Sequence, residues 1–252
     1  RAYVKKNPLS VEGRVRINKN LNFNIASNNA EAKDMLEIIN KSELLKDVKE
    51  GLVIITKANG PAKLFVNLTA KIVPVPFGQP PLPPDEAFED MKVKGSLYLL
   101  GNSCSIEGFY TPIDDIKGIV DFTETKTTLN NIEGVSGSSP ITINGTVIND
   151  LTSKIPDVDI TITSKSVNLR DTIKFLTKSY LYPQNYPDLS PLYKIASKHD
   201  LLFKYKAKSV DFITDKAYAV MNFIPDNSES SLKAQSGKVI MENSKVKIEN
   251  VN

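Results

Sequence analysis

The sequence predicts a mainly β, β-rich α+β protein: an elongated, twisted antiparallel sheet built from repeated sets of strands, with a few helices between them. Three observations lead there. Residues 118–166 alternate apolar and polar side chains through short runs broken at Asn, Gly, Ser-Pro and Ile-Pro, which is the period-two signature of strands with one buried face. Two stretches of the chain recur elsewhere in it. Hydrophobic residues make up 40% of the 252 residues and aromatics 8%, with no Trp, which suits a sheet covered on one face better than a globule with a thick core.

Within 118–166, Val120 and Phe122 share one side of the first run. Ile141, Ile143 and Val147 share a side of the second, with Gly145 between them. Val158, Ile160 and Ile162 share a side of the third, opposed by Asp159, Thr161 and Thr163. Upstream, residues 11–25 are strand-like through Val15, Ile17, Leu21, Phe23 and Ile25, and 31–48 carry Ala32, Leu36 and Ile39 on one helical stripe. Runs 52–57 and 63–72 flank Ala58-Asn59-Gly60-Pro61 as a hairpin, although the proline argues against the tightest two-residue turn. Residues 74–90 hold six prolines and read as an ordered loop leaving the sheet, not a strand, because proline removes backbone donors and favours extended geometry.

Strands resume at 93–99 and 104–110. Leu169, Ile173 and Leu176 lie at helical spacing after Asn168, an N-cap residue. Residues 180–189 are rich in Tyr and Pro and read as loop. Ser190-Pro191 has the form of a helix start leading into 192–199. Alternation returns at 203–212, 217–223 and 239–251.

Residues 20–39 (NLNFNIASNNAEAKDMLEII) align without a gap on 157–176 (DVDITITSKSVNLRDTIKFL), an offset of 157 − 20 = 137. Leu21, Phe23 and Ile25 meet Val158, Ile160 and Ile162; Ser27 meets Ser164 and Asp34 meets Asp171. Residues 237–251 likewise align on 118–132, with Val239 on Val120, Met241 on Phe122, Ile248 on Leu129 and Asn250 on Asn131. The domain reading is one continuous segment, 1–252, with repeat-like units at about 11–50 and 93–180, a third beginning near 237, and the Pro-rich loop at 74–90. The chain begins at Arg1 and stops where the continuation after 132 would recur, so a longer parent protein is expected. An offset above 100 residues is too long for a solenoid coil or a propeller blade. Each unit instead adds strands to a continuing sheet, about ten to fourteen at ~4.8 Å spacing, and twist curls such a sheet.

Catalytic chemistry is sparse. His199 is the one histidine, in a helix-like segment beside Lys198 and Asp200, and reads as a surface residue. Cys104 is the one cysteine, so no internal disulfide can form; it reads as a small apolar strand residue. Gly134, Gly137, Ser138 and Ser139 faintly resemble a phosphate loop but lack the Lys-Ser/Thr ending and read as a turn. Asp114-Asp115 also reads as a turn, and Asp157 and Asp159 as solvated. The sequons at Asn40, Asn67 and Asn144 carry little weight in a chain rich in Asn, Ser and Thr. Net charge is +3 with no basic block, so no nucleic-acid partner is expected. No run of 18 apolar residues and no signal-peptide pattern occurs. No enzyme, metal or cofactor is indicated.

The run KGSLYLLGNSCSIEGFYTPIDDIKGIVDF, then TLNNIEGVSGSSPITINGTV, then PDVDITITSKSVNL, resembles the AsmA-like family of Gram-negative envelope proteins, which includes TamB- and YhdP-type repeating β-groove members. The elements that carry the resemblance are Gly-x-Val-x-Phe at 118–122, the strand ending near 129–132, the Ser-Pro-Ile-Thr-Ile-Asn-Gly run and the Asp-Val-Asp-Ile-Thr-Ile strand before a leucine helix. It is good over residues 93–176 and extends through the repeat to 11–40 and 237–252; residues 51–90 and 180–235 match only in general character.

The resemblance implies a U-shaped sheet with an apolar concave face, in the periplasm, in a parent protein anchored in the inner membrane. It implies carriage of phospholipid acyl chains between inner and outer membranes. The expected groove-lining residues are Val120, Phe122, Ile141, Ile143, Val147, Val158, Ile160, Ile162, Phe203, Tyr205, Met221 and Phe223. The alternative is a non-enzymatic envelope scaffold or outer-membrane assembly module that binds protein partners, with strand-edge pairing as its expected mode.

Overall fold

The computed structural model describes residues 2–4, 7–15, 20–41, 55–80, 82–83, 86–106, 111–148, 157–172, 198–207, 216–224, 238–242 and 245–250. Their fourteen strands form one antiparallel sheet: β1 (Ala2–Val4), β2 (Asn7–Val15), β3 (Asn20–Glu31), β4 (Ile55–Asn59), β5 (Pro61–Ile72), β6 (Phe88–Ile106), β7 (Ile113–Thr123), β8 (Lys126–Ser136), β9 (Ser139–Ile148), β10 (Asp157–Asn168), β11 (Lys198–Ala207), β12 (Lys216–Ile224), β13 (Lys238–Glu242) and β14 (Lys245–Glu249). Neighbours along the sheet follow chain order, except that β3 pairs with β5 while β4 pairs with β6. The sheet is open, with β1 and β14 as its ends. This is consistent with a curled groove and not with a closed barrel. One helix, α1 (Ala32–Lys41), follows β3, and residues 169–172 are helical after β10.

The alternation read in 118–166 becomes β7 to β10. The chain turns at Gly137-Ser138, where Gly137 has φ +66°, so the phosphate-loop-like GVSGSSP is a hairpin. The expected hairpin between 52–57 and 63–72 is corrected. β4 and β5 both run antiparallel to β6, β4 against Ser103–Ile106 and β5 against Phe88–Leu99, so they are consecutive lengths of one line of chain. Gly60 at φ +101° makes the kink between them, and Pro61 offers no N–H with which to close a turn.

Runs 93–99 and 104–110 are not separate strands up to 106. β6 continues through a bulge at Gly101 (φ +95°), where buried Asn102 accepts from Leu100 N at 2.8 Å and donates to Asn59 O at 3.2 Å. Asp114 and Asp115 lie inside β7, at a bulge where Asp115 has φ +50°, and not in a turn. In the Pro-rich segment the described residues 73–80, 82–83 and 86–87 are irregular, closed at the base by Val73 N to Ala87 O at 3.0 Å, but 88–90 already belong to β6. Residues 239–251 contain two strands rather than one run. The expected helical residues 42–48, 173–176 and 192–197, and the loop at 180–189, fall outside the described residues.

The ladder repeats rung for rung. β3 and β10 are each twelve residues long, and each slips register at the same place, between Ser27 and Ala30 and between Ser164 and Val167, at the offset of 137. Ser27 Oγ donates to Pro8 O at 2.9 Å and Ser164 Oγ to Pro140 O, one bond in each copy. Their partners shift with them: Ala30 faces Ala62 and Val167 faces His199. Further on, Val120 pairs with Leu129 as Val239 pairs with Ile248, and the following Asn131 and Asn250 are left-handed at φ +49° and +48°. The rungs therefore group the strands into two six-strand runs, β2–β3–β5–β6–β7–β8 and β9 to β14, joined at the β8–β9 hairpin. The stretch near 237 closes the second run.

Candidate functional site

Directly paired residues in an antiparallel ladder project to the same face, so the register sorts every described position. One row runs Val11, Ile25, Val66, Gly95, Phe122, Thr127, Val147, Val158, Ala207 across nine strands. A second runs Ser27, Leu64, Leu97, Val120, Leu129, Gly145, Ile160, then positions 205 and 217. A third joins Ile132, Ile143, Ile162, Phe203 and positions 219, 241 and 246. All twelve expected groove positions fall in this one set of rows, Ile141 through its rung with Gly134 and positions 221 and 223 through their rungs with Leu201 and His199.

The opposite set is polar. One row reads Ala26, Phe65, Ser96, Asp121, Thr128, Thr146, Asp159, Lys206, Lys216. There, Asp121 accepts from Ser96 Oγ at 2.5 Å and from Asn130 Nδ2 at 2.6 Å. Asn67 Nδ2 bridges Asn22 and Asn24 at 2.9 and 2.8 Å. Asp157 and Asp159 are exposed as expected, with Asp159 3.4 Å from Lys206. Phe65 and Tyr98 make an edge contact, ring centres 5.8 Å apart, on this face.

Two classes of packing meet on the apolar face. Val120, Phe122, Ile141, Ile143, Val147, Val158, Ile160, Ile162 and Phe203 are half-buried: their flanks touch neighbouring strands and part of each remains open. Fully buried apolar residues include Ala30, Ala62, Val167 and Leu169 near the helical residues, and Leu21, Ala70, Ile116, Ile132 and Val220 within the sheet. Phe122 lies over Gly95 and Phe23 over Gly13, so a Cβ at either glycine would run into a ring, which is why aromatics and glycines share rungs.

His199 corrects an expectation. It lies in β11 rather than in a helix, and it is buried, with Thr172 Oγ1 3.0 Å from its Nε2. Burial pushes its pKa down to about 4, against a smaller upward pull from Asp200. Sequence reading missed it because the residues before 198 suggested a helix and hid the alternation. Its rung, between Val167 and position 223, places it on the apolar face under the helical residues 169–172.

Asp171, the match of Asp34, accepts from Ser138 N at 3.0 Å, Ser138 Oγ at 2.6 Å and Ser139 Oγ at 3.1 Å, tying those helical residues to the β8–β9 turn. Asn168 caps them, its Oδ1 accepting from Arg170 N at 3.0 Å. Cys104 is half-buried in β6, and burial pushes its thiol pKa up, away from nucleophilic use.

A cavity of about 740 Å³ is lined by Glu12, Arg14, Asn20, Lys71, Asp90 and Lys92, on the polar side. Its Lys71–Asp90 pair, 2.5 Å apart and exposed, holds the lysine pKa up and the carboxyl down through their mutual hydrogen bond. A second, of about 550 Å³, also lies mainly on the polar side, bordered by Phe65, Asn67, Lys94, Ser96, Asp121 and Thr128. Among the described residues no cluster of three or more His, Cys, Asp or Glu could hold a metal, and no helix is long and apolar enough to cross a membrane. Comparison with protein-family models, with curated proteins and with solved structures returned no match.

Proposed function

We propose that this chain is a segment of a periplasm-spanning lipid-transfer conduit, in which phospholipid acyl chains travel along the apolar face of the sheet between inner and outer membranes. The reading rests on the AsmA-like resemblance for its setting, with the parent protein anchored in the inner membrane. The continuity of the apolar face supports it on physical grounds. Rows of Val, Ile, Leu and Phe cross from strand to strand without a charged residue, and those side chains stay half-open rather than filled by a second layer. Each acyl CH₂ laid on such a surface gains about 0.8 kcal/mol over water. Rungs about 4.8 Å apart present the same surface at every step, which keeps the barrier to sliding low. No side chain performs a reaction; the polar face stays in water.

The test is native mass spectrometry of the purified chain with lipid extraction. Phospholipid should be retained at defined stoichiometry. Ile143→Asp, on the third apolar row, should abolish retention, while Thr142→Asp, on the opposite face one residue away, should leave it unchanged. A lipid-free, stable monomer, or equal loss in both variants, overturns the reading. That result favours the second one, a non-enzymatic envelope scaffold or assembly module binding protein partners.

A further inference from the structure

Phe65 is out of place on the polar face. Its rung partner is Ser96, and it is 43% exposed where alternation otherwise puts polar side chains. Tyr98 meets it at 84°, ring centres 5.8 Å apart, which fixes the tilt of the ring. Phe65 borders the cavity of about 550 Å³, a size typical of ligand sites. The register gives that cavity its form. One wall is the row Phe65, Ser96, Asp121, Thr128; the other is the row Asn24, Asn67, Lys94, Thr123. The backbone of Val66, Gly95 and Phe122 runs between them as a floor. The walls stand two residues apart along each strand, about 7 Å, and the lane crosses the strands for about 14 Å.

The walls are ordered in advance. Asn67 is held by Asn22 and Asn24, and Asp121 by Ser96 and Asn130, so neither has to be fixed in place when a ligand arrives. Asp121 supplies an acceptor, Lys94 a donor, and Thr128 and Asn67 carry groups of both kinds, all beside one apolar ring. That combination matches a pyranose, whose hydroxyls lie around its rim while its C–H bonds pack on the electron-rich face of an aromatic. Other linear ligands fit worse. β5, β6 and β7 are each paired on both sides, so an extended peptide finds no main-chain groups to pair with. A nucleic acid needs cations along its whole length, and the border of this cavity sets Lys94 and Lys126 against Asp121.

We propose that this lane binds an extended, β-linked glycan chain, with one sugar stacked on Phe65 and its neighbours hydrogen-bonded to Asn67, Lys94, Asp121 and Thr128. A β-linked chain is a flat ribbon that follows a straight lane, whereas an α-linked chain coils away from it. The site lies on the face opposite the apolar rows. It therefore stands independently of lipid carriage, and both ligands can be held at once.

Isothermal titration calorimetry of the full chain with chitohexaose tests this, with maltohexaose as the coiled control. Chitohexaose should bind saturably, and maltohexaose about tenfold more weakly or not at all. Phe65→Leu keeps apolar bulk but removes the ring face, and should weaken chitohexaose binding about tenfold. Asp121→Asn and Lys94→Ala should each weaken it several-fold. Ile143→Asp, on the opposite face, should leave it unchanged, with circular dichroism confirming that every variant folds. A folded parent chain that does not bind chitohexaose overturns the proposal, and so does equal binding of the two sugars. Binding that survives both Phe65→Leu and Asp121→Asn at full strength, or is lost in Ile143→Asp, also overturns it, since the sugar would then sit elsewhere.

Discussion

At one rung the two runs of strands differ sharply. The first sets Ala30 against Ala62; the second sets Val167 against His199; all four are buried. Around this difference the backbone is the same. The bulge, the serine-to-proline-carbonyl bond and the helix that follows recur at matched positions. Even the helix starts are secured by different means: Ala32 N donates to Gly60 O at 3.0 Å in the first run, and Asn168 caps in the second. What repeats is therefore the hydrogen-bonded geometry that sets the pitch of the sheet. The side chains under the helices are replaceable filling. A repeat held by backbone geometry can keep a continuous apolar face while its sequence drifts, because alternation survives any apolar exchange.

The matched glycines give the largest expected contrast. A Cβ at Gly145 would lie 2.4 Å from Asp159 O, a backbone atom in the middle of the sheet. At Gly13 the three nearest atoms it would meet all belong to the Phe23 ring. Gly145→Val should cost about 3 kcal/mol, since two central strands must part. Gly13→Val should cost well under half of that, since a ring can turn. Chemical denaturation of both variants measures the difference; equal losses would mean the two runs do not share one strand geometry.

His199 supplies the next contrast, because its match, Ala62, cannot titrate. The folded chain holds the imidazole neutral, with a pKa of about 4 against about 6.5 when unfolded. Above pH 6.5 neither state takes up the proton and stability is complete. As pH falls below 6.5 the unfolded state protonates first, so stability declines until the folded pKa is passed. The loss is about 2 kcal/mol by pH 5. Denaturation midpoints between pH 7 and 5 should show this slope in the parent chain, and it should flatten in His199→Ala. A slope that persists in that variant assigns the acid sensitivity to other groups.

Where information was local, the sequence was readable. Period two is imposed by the strand backbone itself, so Val120, Phe122, Ile143 and Ile162 could be placed on one side before any pairing was known, and the register unites them. Partner choice was not readable. β4 and β5 look like the two arms of a hairpin, but whether they pair with each other or line up along β6 depends on a strand some forty residues away. The length of β6 was hidden in the same way, because Gly101 and Asn102 read as a break when they are a bulge inside a continuing ladder. Burial of His199 was the least legible feature. It depends on the helical residues at 169–172 packing over β11, and nothing at 198–200 encodes that.

The smallest effect probes the shared geometry most directly. Ser27 and Ser164, 1% and 7% exposed, each donate their hydroxyl to the carbonyl of the proline at the second position of the preceding strand, Pro8 and Pro140. Ser→Ala at either site removes the donor and leaves that carbonyl short of a partner, at a cost of about 1–2 kcal/mol. If the bond fixes the bulge, the two losses should match within about 0.5 kcal/mol, although one helix packs on alanines and the other on valine and histidine. The double variant should then lose the sum, because sites in separate runs have no shared partner. A loss confined to Ser164 would tie its hydroxyl to the His199 packing instead, and would reduce the repeated bond to a coincidence of two serines.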